Sequence, residues 1–401
     1  MTDTSRPSDH HDLNRWLDDT PGCSHRIHLN NAGAGLMPVP VINAVRDYLE
    51  KEARYGGYEA ADAASGEIHS CYEAIGRLIG TTASNIAIVE NATVAVSQVL
   101  SAFEFQRGDT IVTTNVVYSS NQIMLLNLVN RFGIKIIRAK DLPEGGVDPD
   151  SVRSLIEKHS PRLVMMSWVP TNSGLVQDAR SVGEICREAE VPFVLDACQA
   201  VGQLPVDVKE LKCDFLAATS RKFLRGPRGL GFLYVSDHML EQGMLPMFPD
   251  TRGAKWTGVE EFRAESDAKR FENWEFPYAL VLGLGAAARY LQSVGVETAS
   301  RRALDLAAYT REKLAGLERV RVLDRGQNQC AIVTAAIRGM AAPEVVEKLR
   351  AKKINTSASM RHHGIIDMDA KGVETALRIS PHYYNTREEI DRTTDVLKNV
   401  V

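Results

Sequence analysis

Residues 192–232, PFVLDACQAVGQLPVDVKELKCDFLAATSRKFLRGPRGLGF, decide the fold of this chain. Two short apolar runs in this stretch have the composition of buried strands, and each ends in polar side chains. Asp196 ends the first run, and Thr219, Arg221 and Lys222 follow the second. Because open α/β sheets bind ligands at the carboxyl ends of their strands, these side chains predict a binding site at one sheet edge.

On both sides of this stretch, short apolar or β-branched runs alternate with longer amphipathic segments. This alternation is typical of a mainly parallel sheet covered by helices, so the sequence predicts an α/β fold. The predicted strands of this seven-stranded sheet are 85–89, 110–114, 134–138, 162–168, 192–196, 214–218 and 230–235.

The sequence pattern changes in the C-terminal part of the chain. Ala- and Leu-rich helical stretches over 277–316 are followed by further strand and helix signals. Thr386 and Glu389 have the spacing of a capping box and predict the start of the last helix. The predicted parts are a polar N-terminal arm (1–26), a large domain (27–279) and a smaller α+β C-terminal domain (280–401).

The composition excludes several classes of protein. The 401 residues are 44% hydrophobic and 24% charged, as in ordinary globular proteins. The net charge is −4 and no basic stripe is present, so we expect no nucleic-acid partner. No apolar run reaches the roughly 18 to 20 residues of a membrane helix, and the first residues lack the apolar core of a signal peptide. These features predict a cytoplasmic protein without a membrane partner.

The six cysteines show no CxxC pair and no spacing suited to zinc, so they are predicted to be free and mostly buried thiols. Two histidine pairs, at 10–11 and 362–363, consist of adjacent residues whose side chains rarely converge on one metal ion. We therefore predict no metal site.

The residues at the predicted sheet edge suit one kind of cofactor. The amine of Lys222 can bond to an aldehyde, and the carboxylate of Asp196 can hold a protonated ring nitrogen. An enzyme that uses pyridoxal 5'-phosphate (PLP) needs both groups. The cofactor's phosphate also needs donors, and Ala92 and Thr93 lie at a predicted strand-to-helix turn whose free N–H groups can hold an anion.

Four segments give the chain a resemblance to a known family: HLNNAGAGLMP (28–38), GGYEAADAA (56–64), SRKFLRGPRGLG (220–231) and RISPHYYNT (378–386). Together they resemble the class V aminotransferase family of fold-type I PLP enzymes. That family includes cysteine desulfurases, isopenicillin N epimerase and hercynylcysteine sulfoxide lyase. The resemblance implies the fold-type I architecture, PLP as cofactor and a homodimer.

The resemblance also implies roles for the residues at the sheet edge. Lys222 would bind the cofactor covalently, Asp196 would pair with the pyridinium nitrogen, and Gln199 would hydrogen-bond the phenolic oxygen. Thr219 and Arg221 would hold the phosphate, for which a guanidinium is well suited.

Further cofactor contacts are implied on neighbouring loops. Tyr118 falls where family members place a ring that stacks on the cofactor. Either Thr171 or Asn172, in PTNSG, matches a position that contacts the cofactor or the substrate.

On the substrate side, Arg378 matches the arginine that binds the α-carboxylate, so the resemblance implies an amino-acid substrate. A guanidinium fork binds a carboxylate with two hydrogen bonds. Asn31 and Tyr58 are further substrate-side candidates, the latter within a segment that resembles the lyase members.

The sequence departs from the family pattern in two places. Cysteine desulfurases need a cysteine on a late mobile loop to accept sulfur, and the corresponding residues 354–372 contain none. Cys330 lies in an apolar run and reads as a buried strand residue. Many members also carry Gly-Thr after an RFE stretch, whereas this chain has Asn273, Trp274 and Glu275, and this departure leaves the side-chain specificity open.

These observations predict a C–S β-lyase that acts on a cysteine S-conjugate or sulfoxide and releases a thiol-type product, pyruvate and ammonia. An aminotransferase or an epimerase of the same family is the alternative, since small differences in pocket geometry decide where the proton goes. A non-catalytic PLP-binding relative is an alternative of another class, and the joint presence of Lys222, Asp196 and Arg378 counts against it. A dehydrogenase would need a GxGxxG turn after an early strand, which we do not find.

Overall fold

In the computed structural model, which describes residues 7–400, a seven-stranded sheet forms the centre of the protein. The fifteen strands of the described chain are β1 (Ile27–His28), β2 (Ile86–Val89), β3 (Thr110–Thr113), β4 (Lys135–Arg138), β5 (Leu163–Ser167), β6 (Phe193–Asp196), β7 (Phe215–Thr219), β8 (Gly231–Val235), β9 (Ala254–Gly258), β10 (Glu261–Ala264), β11 (Val320–Val322), β12 (Val333–Ile337), β13 (Ile354–Asn355), β14 (Ser357–Met360) and β15 (Thr375–Ile379).

Fifteen α-helices accompany these strands in the same part of the chain. They are α1 (Pro7–Asp18), α2 (Val39–Tyr55), α3 (Gly57–Ala63), α4 (Ser65–Leu78), α5 (Ala92–Ser101), α6 (Ser119–Phe132), α7 (Pro149–His159), α8 (Ala179–Glu188), α9 (Val208–Leu211), α10 (Asp237–Glu241), α11 (Tyr278–Val294), α12 (Val296–Ala315), α13 (Ala342–Ala351), α14 (Ile365–Lys371) and α15 (Arg387–Val400).

The large sheet has the strand order β2-β8-β7-β6-β5-β3-β4. Strand β8 runs antiparallel to both of its neighbours, and the other four pairings are parallel. Every residue of β5, β6 and β7 is buried, because helices cover both faces of the sheet and the strands are apolar throughout. The predicted α/β fold and the seven predicted strands are confirmed.

A second, antiparallel sheet of four strands has the order β11-β12-β15-β14. Helices α12, α13 and α15 pack near it. At the start of α15, the backbone N–H of Glu389 donates to Thr386 Oγ1 at 3.2 Å, and the N–H of Thr386 donates to Glu389 Oε2 at 3.1 Å. The predicted capping box is therefore confirmed.

The apolar helix α11 packs against α2 and α4, two helices that precede the first strand of the large sheet. This packing is close, because a Cβ added at Gly285 would lie 2.2 Å from Cys71 Sγ. Within residues 7–400 no single helix is long and apolar enough to cross a membrane, although α11 and α12, bent by 80°, pass that test as a pair.

The N-terminal part differs from the expected polar arm. Residues 1–6 of that arm lie outside the described residues, whereas Trp16 of α1 is buried edge-on against Tyr383, with ring centroids 5.2 Å apart. Strand β1 pairs with β13 of the C-terminal part rather than with the large sheet. We therefore propose that residues 27–30 belong structurally to the smaller domain and that α11 belongs to the large one.

The buried imidazole of His382 makes stability depend on pH. Burial, with Arg225 nearby, lowers the pKa of His382 from 6.5 to about 3, and its Nε2 lies 2.8 Å from the Phe223 carbonyl oxygen. The folded state stays neutral below pH 6.5 while the unfolded state binds a proton, so this group's contribution falls as the pH falls from 6.5 towards about 3.

We expect the free energy of unfolding to fall by up to about 1.4 kcal/mol per pH unit in this window from His382 alone. The measurement is urea unfolding of the wild type and of His382→Gln at several pH values below 6.5. The variant should show the shallower slope, and equal slopes would contradict the assignment.

Candidate functional site

A cavity of about 440 Å³ opens at the carboxyl ends of β5, β6 and β7. Nine of the ten predicted cofactor-binding residues line it: Ala92, Thr93, Tyr118, Thr171, Asp196, Gln199, Thr219, Arg221 and Lys222. The parallel strands bring these residues together because each strand ends at the same sheet edge.

The carboxylate of Asp196 is buried at the end of β6 and held by three donors. Its Oδ2 accepts hydrogen bonds from Asn121 Nδ2 and Ser167 Oγ, both at 3.1 Å, and its Oδ1 accepts from the Cys198 N–H at 3.0 Å. These three donors fix the direction of the carboxylate. Sequence reasoning missed Asn121 and Ser167, which lie far from Asp196 along the chain.

The amine of Lys222 lies in the turn after β7, where only 7% of the residue is exposed. Burial lowers the pKa of Lys222, and Arg221 and Arg378 act in the same direction, against Cys198 and Asp196. A lowered pKa supplies the neutral amine that attacks a carbonyl group. Lys222 Nζ also lies 5.8 Å from the centroid of the Tyr118 ring, so both groups border the same space.

A site for an anion lies at the start of α5. Asn91 caps this helix by accepting the Val94 N–H at 3.0 Å, which leaves the first N–H groups directed at the cavity. Arg221 and Arg228 line the same cavity and add positive charge. Glycine at 231 permits this arrangement, because a Cβ there would lie 2.4 Å from the Ala218 carbonyl oxygen and 3.3 Å from the Ala92 nitrogen.

Arg378 lies next to this cavity, behind Thr171. Its Nη1 donates to Thr171 O at 3.0 Å and to Thr171 Oγ1 at 2.9 Å, and its Nη2 donates to Asn30 Oδ1 at 3.2 Å. Burial and the neighbouring Arg221 lower the pKa of Arg378 to about 10. Its buried Nε has no hydrogen-bond partner. Arg378 also has no carboxylate partner in the described part of the chain, and a buried guanidinium with an unused donor is suited to a substrate carboxylate.

The substrate role of Asn31 stays a prediction, and its neighbour Asn30 makes the contact with Arg378. Asn31 is fully buried, and its Nδ2 donates to the Ser380 carbonyl oxygen at 2.8 Å. Tyr384 donates its hydroxyl hydrogen to Asn31 Oδ1. Both ends of its amide are therefore engaged within the described residues.

Two other predicted residues lie outside the cavity lining. Tyr58 on α3 is 74% exposed, so within one chain it does not reach the cavity, and its substrate role stays a prediction. Asn172 is buried beneath the 354–372 segment, where its Nδ2 donates to Asp367 Oδ2 at 2.8 Å. Of the two alternatives in PTNSG, Thr171 is the one that lines the cavity.

The departure at 273–275 lies beside the anion site. Asn273 Nδ2 donates to Glu90 Oε1 at 3.3 Å, and Glu90 is part of the cavity lining. Glu275 borders a small neighbouring pocket and not the cavity itself. The carboxylate preceding the departure, Glu272, is buried and accepts from Arg252 Nε at 2.6 Å and from Tyr72 at 2.8 Å. This hydrogen-bond network fixes the position of Glu272, directly before residues 273–275.

The residues of the cavity fit PLP. Asp196 ends β6 and Lys222 follows the adjacent strand β7, and the start of α5 with Arg221 suits a phosphate. Among the described residues, the buried Gln199 Oε1 has no hydrogen-bond partner. When bound, this cofactor supplies an electron sink for bonds broken at the carbon atoms of an amino acid.

Fold and site together define a PLP enzyme, and comparison of the sequence gives its family. The sequence model of the Aminotransferase class-V family matches residues 27–393. The chain belongs to this family and is PLP-dependent.

Among curated relatives, a probable cysteine desulfurase of Methanothermobacter thermautotrophicus is 25% identical over 392 residues, which cover 95% of this chain and 96% of that protein. The apo structure of a cysteine desulfurase from Thermococcus onnurineus NA1 has a TM-score of 0.89 at 24% identity and covers 100% of this chain and 99% of its own. The cystine C-S lyase C-DES, in complex with its product cysteine persulfide, has a TM-score of 0.85 at 22% identity, covering 95% and 99%. The two structures share the fold of this chain.

Replacing Asp196 by Asn tests the electrostatic role of this carboxylate. The amide keeps the shape but removes the negative charge, so we expect kcat to fall by about 10² to 10³-fold. Asp178→Asn is a matched control, because Asp178 caps α8 away from the cavity and Asn caps equally well. Steady-state kinetics with PLP saturating would check this, and an unchanged kcat in Asp196→Asn would remove the assigned role.

Proposed function

We propose that this enzyme is a lyase that breaks the C–S bond of a cysteine-derived L-α-amino acid by β-elimination. The reaction consumes one water and releases a thiol, pyruvate and ammonia, and no oxidant or reductant is needed. The names of the relatives, cysteine desulfurases and a cystine C-S lyase, support C–S chemistry.

Residues of this chain can perform the steps around the reacting carbon atoms. Arg378 would hold the substrate carboxylate, and the amine of Lys222 would take the proton from Cα and pass it to the leaving sulfur as the C–S bond breaks. Asp196 would hold the protonated ring nitrogen of the cofactor. The lowered pKa of Lys222 makes its amine available as a base.

The observation that carries the proposal is the lack of a thiol in residues 354–372, the segment that covers Asn172. Without such a thiol, sulfur has no carrier at that position and leaves as a free product. Cys330 is fully buried, so it cannot take over this task.

A second candidate is transfer of sulfur to a cysteine of the enzyme, as the names of the curated relatives suggest. Cys198 is the observation that favours it, since its residue lines the cavity. Burial and Asp196 raise the pKa of this thiol, however, which disfavours the thiolate that attacks sulfur.

Product analysis with L-cysteine separates the two candidates. β-Elimination yields pyruvate, ammonia and hydrogen sulfide, whereas sulfur transfer yields alanine and a persulfide. We expect pyruvate as the main carbon product, in the wild type and in Cys198→Ser alike. Alanine in the wild type that disappears in Cys198→Ser would establish the second candidate instead.

A homodimer remains part of the proposal. Trp256 and Phe262 face each other across the β9–β10 hairpin, with 79% and 56% of their surfaces exposed, and Phe248 is 82% exposed. Exposed aromatic side chains of this size are typical of surfaces that another chain covers. Light scattering of the purified protein tests this, and a monomer at micromolar concentration would contradict it.

A further inference from the structure

A second cleft, of about 470 Å³, lies where the N-terminal segment meets the C-terminal helix α15. The cleft is lined by residues 23–27, Lys352, Lys353 and the first turns of α15. None of these residues lines the cofactor cavity. The volume is in the range of small-molecule sites.

Four cationic side chains surround this cleft, and all four are exposed: Arg26, Lys352, Lys353 and Arg392. Within the described chain none of them forms an ion pair with a carboxylate. Arg26 is oriented by a hydrogen bond from its Nη1 to Asn355 Oδ1 at 3.1 Å. The Lys353 backbone is fixed as well, since its carbonyl oxygen accepts the Ile27 N–H at 3.1 Å.

The carboxylates in the cleft do not balance this charge. Glu389 Oε2 already accepts hydrogen bonds from Asn385 Nδ2 at 2.8 Å and from the Thr386 N–H at 3.1 Å. Burial raises the pKa of Glu389. Glu388 is thus the single remaining acidic side chain of the lining. Four cationic side chains thus face two carboxylates in this cleft, on a chain with a net charge of −4. A concave surface with excess positive charge concentrates anions.

We propose that this cleft binds a small multivalent anion of the phosphate type, held by Arg26, Lys352, Lys353 and Arg392. The guanidinium groups offer paired donors to phosphate oxygens, and the lysines act as point charges. The bound anion would link the N-terminal segment to the end of α13 and the start of α15. This site is independent of the reaction that the enzyme catalyses.

The test is calorimetric titration of the PLP-loaded enzyme with inorganic pyrophosphate at constant ionic strength. The loaded form is used because the cofactor's own phosphate then fills the anion site at α5. The test variant combines Lys352→Gln, Lys353→Asn and Arg392→Gln. Asn suits position 353 because Lys353 has a φ of 60°, a left-handed conformation that Asn tolerates.

The matched control combines Lys158→Gln, Arg301→Gln and Lys398→Gln, which remove the same charge from exposed positions outside the cleft. We expect saturable binding by the wild type and by the control, and at least a tenfold weaker affinity in the test variant. No saturable binding by the wild type, or equal binding by the test variant, would overturn the proposal. Binding of an acidic peptide without binding of pyrophosphate would replace it with a protein-docking surface.

Discussion

Lys222→Ala is expected to lower kcat by about 10³-fold or more, the largest effect on activity of any single substitution in this enzyme. In the proposed mechanism two functions would be lost together, the covalent bond to the cofactor and the base that moves the proton at Cα. The folded structure should survive, because within residues 7–400 no hydrogen bond depends on the Lys222 amine, and its removal relieves the burial of an amine.

Three readouts separate this prediction from misfolding. The variant should unfold at a temperature close to that of the wild type, and it should still bind PLP noncovalently, as shown by dialysis. The exposed lysine substitution Lys135→Ala should keep wild-type kcat. Turnover in Lys222→Ala within tenfold of the wild type would mean that another group performs these steps.

Arg225→Met is expected to destabilise the protein by about 4 kcal/mol, the largest effect on stability that we predict. The guanidinium is 1% exposed and donates to Leu36 O at 2.7 Å, and to Tyr383 Oη and Thr20 Oγ1, both at 2.5 Å. Its Cζ lies 4.3 Å from the Tyr384 ring centroid. Methionine fills the space but leaves these buried oxygens without their donor.

Urea unfolding measures this loss, with Arg131→Met as an exposed control that should change stability by less than about 0.5 kcal/mol. Should Arg225→Met fail to accumulate, Arg225→Lys provides the test. It keeps the charge but not the three-way fork, so we expect an intermediate loss of about 2 kcal/mol. Wild-type stability in both variants would contradict the role of this side chain.

The sequence predicted the large sheet well for a physical reason. Strands covered on both faces must be apolar throughout, and β5, β6 and β7 display this in consecutive residues. The cavity was predictable for a related reason, because polar residues at the ends of parallel strands meet at one edge. Asp196 and Lys222 could therefore be placed together from local patterns.

Contacts between distant segments could not be predicted in this way. Asn30 and Asn31 are adjacent and chemically identical, and only the pairing of residue 30 with Ser380 of the C-terminal part decides which of them meets Arg378. Asn121 reaches Asp196 from α6, and no local pattern marks that contact. Arg225 is a similar case, because arginine is ordinarily exposed, and its aromatic surroundings come from segments far along the chain.

The most direct test of the proposed β-elimination is a time course of the PLP-loaded enzyme mixed with a cysteine S-conjugate and no oxo-acid acceptor. The cofactor's absorbance and the pyruvate concentration are followed together. We expect the absorbance to return to its starting form after many turnovers while pyruvate exceeds the enzyme concentration many-fold. A single stoichiometric change of the cofactor, without further pyruvate, would contradict the lyase and indicate an aminotransferase.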